Sequence, residues 1–388
     1  MVDVYGVPAA GRDFVARAAA LARSAAGPAA TEVDAQGRFP AEAIAALSRE
    51  GLLGLCLPAA AGGGEQGPAT FAAVVEELAQ ACASTAMIYV MHVSAAQAIA
   101  ASRTLAGRDA ILREIAEGRH LTTLAFSERG SRSQFWLPVS RLEEDGRAYV
   151  TNASKSWVTA AGHAASYVAS AQAPGARSPL ESVVYLVRRE TPGVRVVSRF
   201  EGLGLRGNES APVEFGRVAV RREDLLSEPG AGLSVMLEVV LPWFAVGTAA
   251  MAHGICRAAL GATAAHLSEA GFETPGGKLR DLPNLRARLA EMSVRTEASR
   301  ALLGHALARM ASPDATTPLY ILQARLAAIQ AAVDVTDLAL KTCGGAAFSR
   351  HLSVERLFRD ARAGWVMAPT ADHLLDFVGK ALTGLPLF

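Results

Sequence analysis

The sequence predicts an α+β fold. A helical N-terminal domain spans residues 1–120, a small β-domain 121–226 and a helical bundle 227–388. Three observations carry that reading. The chain has 388 residues, enough for two or three domains at about 100–200 residues each. Both ends are Ala-rich, with apolar residues at helical spacing. Between them the texture changes to short alternating runs separated by Gly, Asn or Pro.

The elements follow in order. In FPAEAIAALSREGLLGLCLP (Phe39–Pro58), Pro40 opens a helix, Ile44, Leu47 and Leu52 share a face, and Gly51 and Gly54 stop it. Ala59–Gly67 is a Gly-rich loop, and residues 69–105 read as two long buried helices. The runs AYVTNASKSWVTAA, ASYVASAQ, SVVYLVRR, VRVVSRF and APVEFGRVAV are β-like, and their close spacing predicts a small antiparallel barrel or sandwich. Farther on, Leu285, Leu289, Met292 and Leu303 recur at helical spacing, as do Leu322, Leu326 and Ile329. Pro313 and Pro318 punctuate between those helices, and short connections imply an antiparallel bundle.

Composition narrows the function classes. Apolar residues make up 51% and charged residues 19%, which supports a large core. The net charge of +1, with no basic stripe, argues against nucleic acid as a partner. Cys56, Cys82, Cys256 and Cys343 are scattered, without the spacing of a zinc site or a disulfide framework, which points to reduced thiols in the cytoplasm. No apolar run is expected to span a membrane, and FVARAAALARSAA (Phe14–Ala26) reads as an amphipathic first helix rather than a targeting segment.

The chain lacks a GxGxxG after a strand, a Walker A loop, GxSxG and HExxH. Three weaker features remain. LAFSERGSRSQ (Leu124–Gln134) gathers Ser127, Gly130, Ser131 and Ser133 in a turn that suits a phosphate or a flavin edge, and equally a plain surface turn. SKSWVTAAG (Ser154–Gly162) puts Trp157 and Thr159 on one strand face, for stacking on a planar cofactor or for half-burial in a core. RDARAGWVMAPTADHLLDF (Arg359–Phe377) is an apolar, Pro-broken turn before a last helix that Thr370 starts.

Taken together and in order, these stretches resemble the acyl-CoA dehydrogenase superfamily of flavoproteins over nearly the whole chain. EGLLGLCLP and EELA (Glu76–Ala79) are similar to its N-terminal helices. LAFSERGS stands where that family has Thr-Glu-Pro-x-x-Gly-Ser, and KSWVTAAGHA matches the strand that stacks an aromatic on the flavin. LGLRGNESAPVEFGRVAV, CGGAAF and VERLFRDAR complete the series. The resemblance implies a helical N-terminal domain, a middle β-barrel and a C-terminal four-helix bundle. It implies a flavin, usually FAD, between barrel and bundle, with FMN the alternative raised by the absence of a cofactor-tail Arg, and a homotetramer or homodimer. By matching position, Leu124, Phe126, Ser127, Ser133, Trp157, Thr159, Gly344, Gly345 and Thr370 hold the cofactor. Ser133, Trp243, Phe244 and Met367 are the residues expected at the substrate.

The departures from that family concern the chemistry. The family's base, the Glu of Glu-Gly-Thr in the last bundle loop, falls at Ala368, in Ala368-Pro369-Thr370. The alternative position on an earlier helix falls near Phe244, and the Arg that follows it falls at Ala245. The cofactor-tail Arg of Arg-x-x-Phe-Gly is absent from FETPG (Phe272–Gly276), and a following His-Gln falls at Leu282-Pro283. Arg129 and Gln134 replace a Pro and an Asp in the barrel turn. Asp372, Glu238 and Glu128 are the carboxylates left to act as a base, with His253 and His163 as further acid/base groups. Glu128 matches a family position that is not the base, and the favoured reading of the others is structural: a first-turn acid complementing the helix dipole at Asp372, a solvated face at Glu238, and hydrogen-bonded core or surface histidines.

The leading function is α,β-dehydrogenation of an acyl thioester, or of another hydrophobic small molecule, with a relocated base. A substrate that is already acidic, or that bears a leaving group, lessens the need for one. Electrons would pass to an acceptor protein. The alternatives are a reduced-flavin monooxygenase of the same fold, served by a flavin reductase, and a catalytically silent subunit.

Overall fold

The computed structural model describes residues 3–274 and 276–387. Helix α1 (Arg12–Leu21) runs through a π-helical turn (Ala22–Ala26) into α2 (Gly27–Gln36), which Gly37 ends at φ +58°. In α3 (Ala41–Arg49), Pro40 occupies the N-cap and Ile44 and Leu47 are buried. Leu52 lies beyond Gly51 (φ +67°) in a separate 3-10 turn, so it joins the core by a chain reversal and not by the helical face expected of it. A Cβ on Gly54 would sit 2.7 Å from Ala116 Cα, so only glycine lets this turn meet α6 (Arg108–Ala116). Helices α4 (Pro68–Ala81) and α5 (Ala83–Ala101) lie between them.

Seven strands follow among the described residues: β1 (Thr122–Ala125), β2 (Leu142–Asp145), β3 (Ala148–Val158), β4 (Ser166–Gln172), β5 (Ser182–Arg188), β6 (Val194–Val196) and β7 (Ala211–Arg221). They form two facing sheets, β1-β4-β5 and β2-β3-β7-β6. Tyr149, Tyr167, Val183, Phe215 and Val218 are buried together in one β-domain core. The β-domain is not wholly antiparallel. β1 enters from α6 and pairs parallel with β4, Thr122 opposite Ser166. Parallel pairing needs a long crossover, which the chain between β1 and β4 supplies. β1 and β2 have four residues each, too short for alternation to mark them.

The bundle starts with α7 (Gly232–Ser234), continues through a π-helical stretch (Val235–Val240) and becomes α8 (Leu241–Glu269). Then come α9 (Pro283–Ala311), α10 (Thr317–Cys343), α11 (Gly345–Phe348), α12 (Val354–Ala361), α13 (Ala363–Val366) and α14 (Ala371–Thr383). Helix α8 packs on α4, α9 and α10, and α14 on α10. One core therefore joins the two helical parts, with Phe71, Leu78 and Tyr89 against Ala249, Met251, Ile255 and Val335.

The expectation about membrane-length runs needs correction. Helix α5 and the continuous stretch Gly232–Glu269 are both long and apolar enough to cross a bilayer. Their apolar windows are 89% and 61% buried inside the protein. A helix surrounded by protein is apolar on every side for the same physical reason as one surrounded by lipid.

Candidate active site

A cavity of about 900 Å³ opens between the β-domain and the bundle, within the size range of cofactor and ligand sites. The β-domain contributes Leu124, Phe126, Ser127, Ser133, Trp157 and Thr159. The bundle contributes Val240, Leu241, Phe244, Met367 and Ala368, and α5 contributes Met87 and Met91.

The β-domain wall is held by a buried ion pair. The chain leaves β1 into the turn around Glu128, where Arg132 (φ +51°) and Ser133 (φ +65°) are left-handed. Glu128 Oε2 accepts from the backbone N–H groups of Val139 (2.6 Å) and Ser140 (2.7 Å). Its Oε1 accepts from Ser140 Oγ and Lys155 Nζ, both at 2.5 Å. Lys155 Nζ also donates to Ser170 O at 2.6 Å. Burial works to raise the Glu128 pKa, but Lys155 and the Ser140 donors outweigh it and hold the group below its ordinary value. Both side chains are almost fully buried. This pair fixes the turn to β3 and leaves no free carboxylate oxygen.

In β3 the ladder to β7 slips between Lys155 and Val158. Trp157 stands in that slip at φ +57°, is 67% exposed and faces the cavity rim with Phe200 edge-on at 6.4 Å. The bulge turns the indole out of the ladder and offers a planar face. Thr159 Oγ1 bonds Ser210 Oγ at 3.0 Å. The loop at Gly204 lies directly on α12, since a Cβ there would meet Arg359 O at 2.4 Å. Leu205 N–H donates to Asp360 Oδ1 at 2.6 Å, and burial pushes the Asp360 pKa up to about 6 against that bond.

On the bundle side Arg359 lines the cavity but is paired with Asp34 and Glu355, whereas two further guanidinium groups have no such partner among the described residues. Arg362 lines the cavity, stacks on Phe358 (3.4 Å to the ring centroid), and donates to Thr336 Oγ1 (2.7 Å) and Phe358 O (2.8 Å). Arg325 of α10 is wholly buried. Its Nη2 donates to Met367 O at 3.0 Å and its Cζ lies 4.8 Å from the centroid of Phe244. Its Nε and Nη1 have no partner among the described residues. Burial pulls its pKa down to about 9, so it is still charged at neutral pH. Neither arginine pairs with a carboxylate among the described residues.

The structure gathers Leu124, Phe126, Ser127, Ser133, Trp157, Thr159, Phe244, Met367 and Ala368 at one cavity. Other expected site residues lie elsewhere. Trp243 turns into the helical core, edge-on to Phe71 at 5.5 Å, because its neighbour Phe244 takes the cavity-facing position on α8. Asp372 and Glu238 are exposed, on the first turn of α14 and on the π-helical stretch, and neither lines the cavity. Helical rotation points both carboxylates to solvent. Thr370 caps α14, its Oγ1 accepting from His373 N–H at 3.4 Å. Gly344 (φ +58°) and Gly345 join α10 to α11 in open space. His253 is buried with Tyr5 at 3.0 Å and Ser299 at 2.8 Å, burial pushing it down to about 4. His163 stacks on Phe39 at 3.8 Å. In FETPG, Pro275 lies outside the described residues. The sequence reading missed Arg325 and Arg362. A signal for Arg325 existed: it interrupts the apolar face of Leu322, Leu326 and Ile329.

A planar exposed indole, a turn carrying hydroxyls and an apolar floor fit a flavin ring. Fold and site together thus define a flavin-dependent oxidoreductase. Sequence comparison agrees: the acyl-CoA dehydrogenase N-terminal domain matches residues 9–119, the middle domain 123–218 and the C-terminal domain 230–383. Cyclohex-1-ene-1-carbonyl-CoA dehydrogenase of Geobacter metallireducens is 29% identical over 357 residues, covering 92% of this chain and 93% of its own. The human mitochondrial short-chain specific acyl-CoA dehydrogenase is 27% identical, covering 89% and 83%. The structure of butyryl-CoA dehydrogenase from Megasphaera elsdenii superposes with a TM-score of 0.92 at 25% identity, covering 98% of this chain and 99% of that one. The chain belongs to the acyl-CoA dehydrogenase family, and is a flavin-dependent oxidoreductase acting on CH–CH bonds.

Proposed function

We propose that the protein oxidises the α–β carbon bond of an acyl thioester with FAD, and that no carboxylate of the bundle removes the α-proton. One observation carries the second half. Glu128 is the only carboxylate among the residues lining the cavity, and four protein donors occupy its oxygens. A general base needs a free lone pair within reach of the proton it takes. Acidity must then come from the substrate itself.

The flavin, when bound, supplies a two-electron acceptor beside the substrate. Leu124, Phe126, Ser127, Ser133, Trp157 and Thr159 would hold it, with Trp157 against its planar face. Phe244, Met367 and Ala368 form the apolar wall that excludes water from the acyl chain. Gly344, Gly345 and Thr370, open or at the edge in one chain, would reach a cofactor across an assembly of two or four copies. Electrons would leave to a soluble acceptor protein in the cytoplasm.

Anaerobic mixing with a panel of acyl-CoA thioesters tests this reading, because dehydrogenation bleaches the flavin without oxygen. The same missing carboxylate favours a second reading, a reduced-flavin monooxygenase. That reading predicts no bleaching, and oxygen uptake only when a flavin reductase is added. Mass spectrometry of the released cofactor separates FAD from FMN, and a colourless protein that takes up neither would indicate a silent subunit.

A further inference from the structure

A desolvated cation is costly to bury. Yet two guanidinium groups on the bundle side have no carboxylate partner among the described residues: Arg362, which lines the cavity, and Arg325, which holds the loop at Met367–Ala368 through the Met367 carbonyl. Arg362 lines the cavity itself and makes no ion pair among the described residues, while the Asp337 carboxylate is paired with Lys341. Arg325 sits one side-chain layer behind. It is stacked on Phe244 and bonded to the Met367 carbonyl, and both Phe244 and Met367 form the cavity wall. The wall is therefore electropositive where the reaction would otherwise use an anionic base. An anion is what such a wall stabilises.

From this juxtaposition of Arg362 and Arg325 at a base-free loop, we infer that the substrate is a 2-carboxyacyl thioester, whose α-carboxylate binds Arg362. This rests on the dehydrogenase reading. The α-carboxylate resolves the missing base. Cleavage of the bond between the α-carbon and the carboxyl carbon releases CO2 and leaves its electron pair on the α-carbon. That pair forms the α–β double bond as a hydride leaves the β-carbon for the flavin oxidant. The substrate carries one carboxylate charge, and the hydride carries one negative charge away, so the enoyl thioester and CO2 are neutral and no proton has to be removed. Arg362 pairs with the carboxylate in the ground state. Arg325 is a positioning residue: it holds the Met367–Ala368 loop and adds a fixed positive charge behind the developing carbanion.

The test uses flavin-loaded protein mixed anaerobically, in separate experiments, with ethylmalonyl-CoA, butyryl-CoA and glutaryl-CoA. The expected result is bleaching by ethylmalonyl-CoA, with CO2 and crotonyl-CoA in equal amounts, at least about 100-fold faster than with butyryl-CoA. Comparable bleaching by butyryl-CoA overturns the inference and leaves the dehydrogenase reading standing. Bleaching by glutaryl-CoA alone moves the carboxylate to the acyl tail and also overturns it. Decarboxylation of ethylmalonyl-CoA without bleaching breaks the coupling to oxidation. No bleaching by any of the three sinks the inference, and the dehydrogenase reading falls with it only if the wider acyl-CoA panel also leaves the flavin oxidised. Arg362→Gln should weaken ethylmalonyl-CoA binding about 100-fold, read by spectral titration of the flavin. An equal loss for butyryl-CoA would assign Arg362 to general architecture. Arg325→Met should slow bleaching more than it weakens binding, and Arg325→Lys should restore part of the rate. A binding loss with no rate loss would remove Arg325 from the scheme.

Discussion

Replacing Arg325 with methionine should make the protein more stable and less active. The guanidinium is fully buried, and among the described residues it has one hydrogen bond, one aromatic stack and two unpaired nitrogens. Losing the bond to Met367 O costs about 1.5–3 kcal/mol, and losing the stack on Phe244 costs about 2 kcal/mol. Against that, each unpaired buried N–H carries a penalty of about 1–3 kcal/mol, and the uncompensated charge adds several more. Methionine nearly matches the arginine stem in length and fills the apolar space among Met251, Ile255 and Ile329. The net expectation is a gain of about 1–3 kcal/mol, in line with replacements of buried charges elsewhere. Urea unfolding read by circular dichroism measures it as an upward shift in midpoint at unchanged slope. A loss of more than about 1 kcal/mol would refute the reasoning, because it would mean that the charge is compensated in the folded protein. A gain in stability with a loss of turnover is what a functional buried charge should show.

Lys155→Met strands Glu128 in the β-domain and should cost about 3–5 kcal/mol, together with looser flavin binding because the turn at Ser127–Ser133 loses its anchor. Adding Glu128→Met should recover most of that stability, and urea midpoints of the single and double variants check both points. Ala368→Glu places a carboxylate on the loop and should raise bleaching by butyryl-CoA by about 100-fold or more. No gain in an enzyme that still binds flavin would place the loop away from the reacting carbon. Asp360→Asn concerns pH. The buried acid titrates near 6 in the folded protein and near about 3.9 unfolded. The folded state thus binds more protons in that window, and this group's contribution falls as pH rises through it. The difference in urea midpoint between variant and wild type should grow in the variant's favour from about pH 4 to pH 6 and then level off.

Much of the site could be read along the chain. The turn from Leu124 to Ser133, the Trp157–Thr159 stretch at the bulged end of β3 and the Met367–Ala368 loop are each contiguous in sequence. All three reach the cavity. Gly344, Gly345 and Thr370, at helix junctions, do not line it in one chain, and three further candidates are single residues within helices. Trp243 and Phe244 are neighbours on α8, and about 100° of helical rotation separates them, enough to send one to the core and the other to the cavity. Asp372 and Glu238 failed for the same reason. Glu128 reached the cavity, but its neutralisation depends on Lys155, which is 27 residues away and meets it only across the sheet.

The sequence by itself determined the order of helical, β and helical parts, the turns that line the cavity and the lack of a carboxylate at Ala368. These are local properties, written as periodicity, turn chemistry and motif order. Only the tertiary structure decided the electrostatics. It brought Arg325 behind Phe244 and Met367, put Arg362 on the wall, saturated Glu128 and turned Asp372 and Glu238 to solvent. Periodicity records that a helix face is buried but not what it is buried against. The effect of a charge depends on desolvation and on partners a few ångströms away in space, however far apart they lie along the chain.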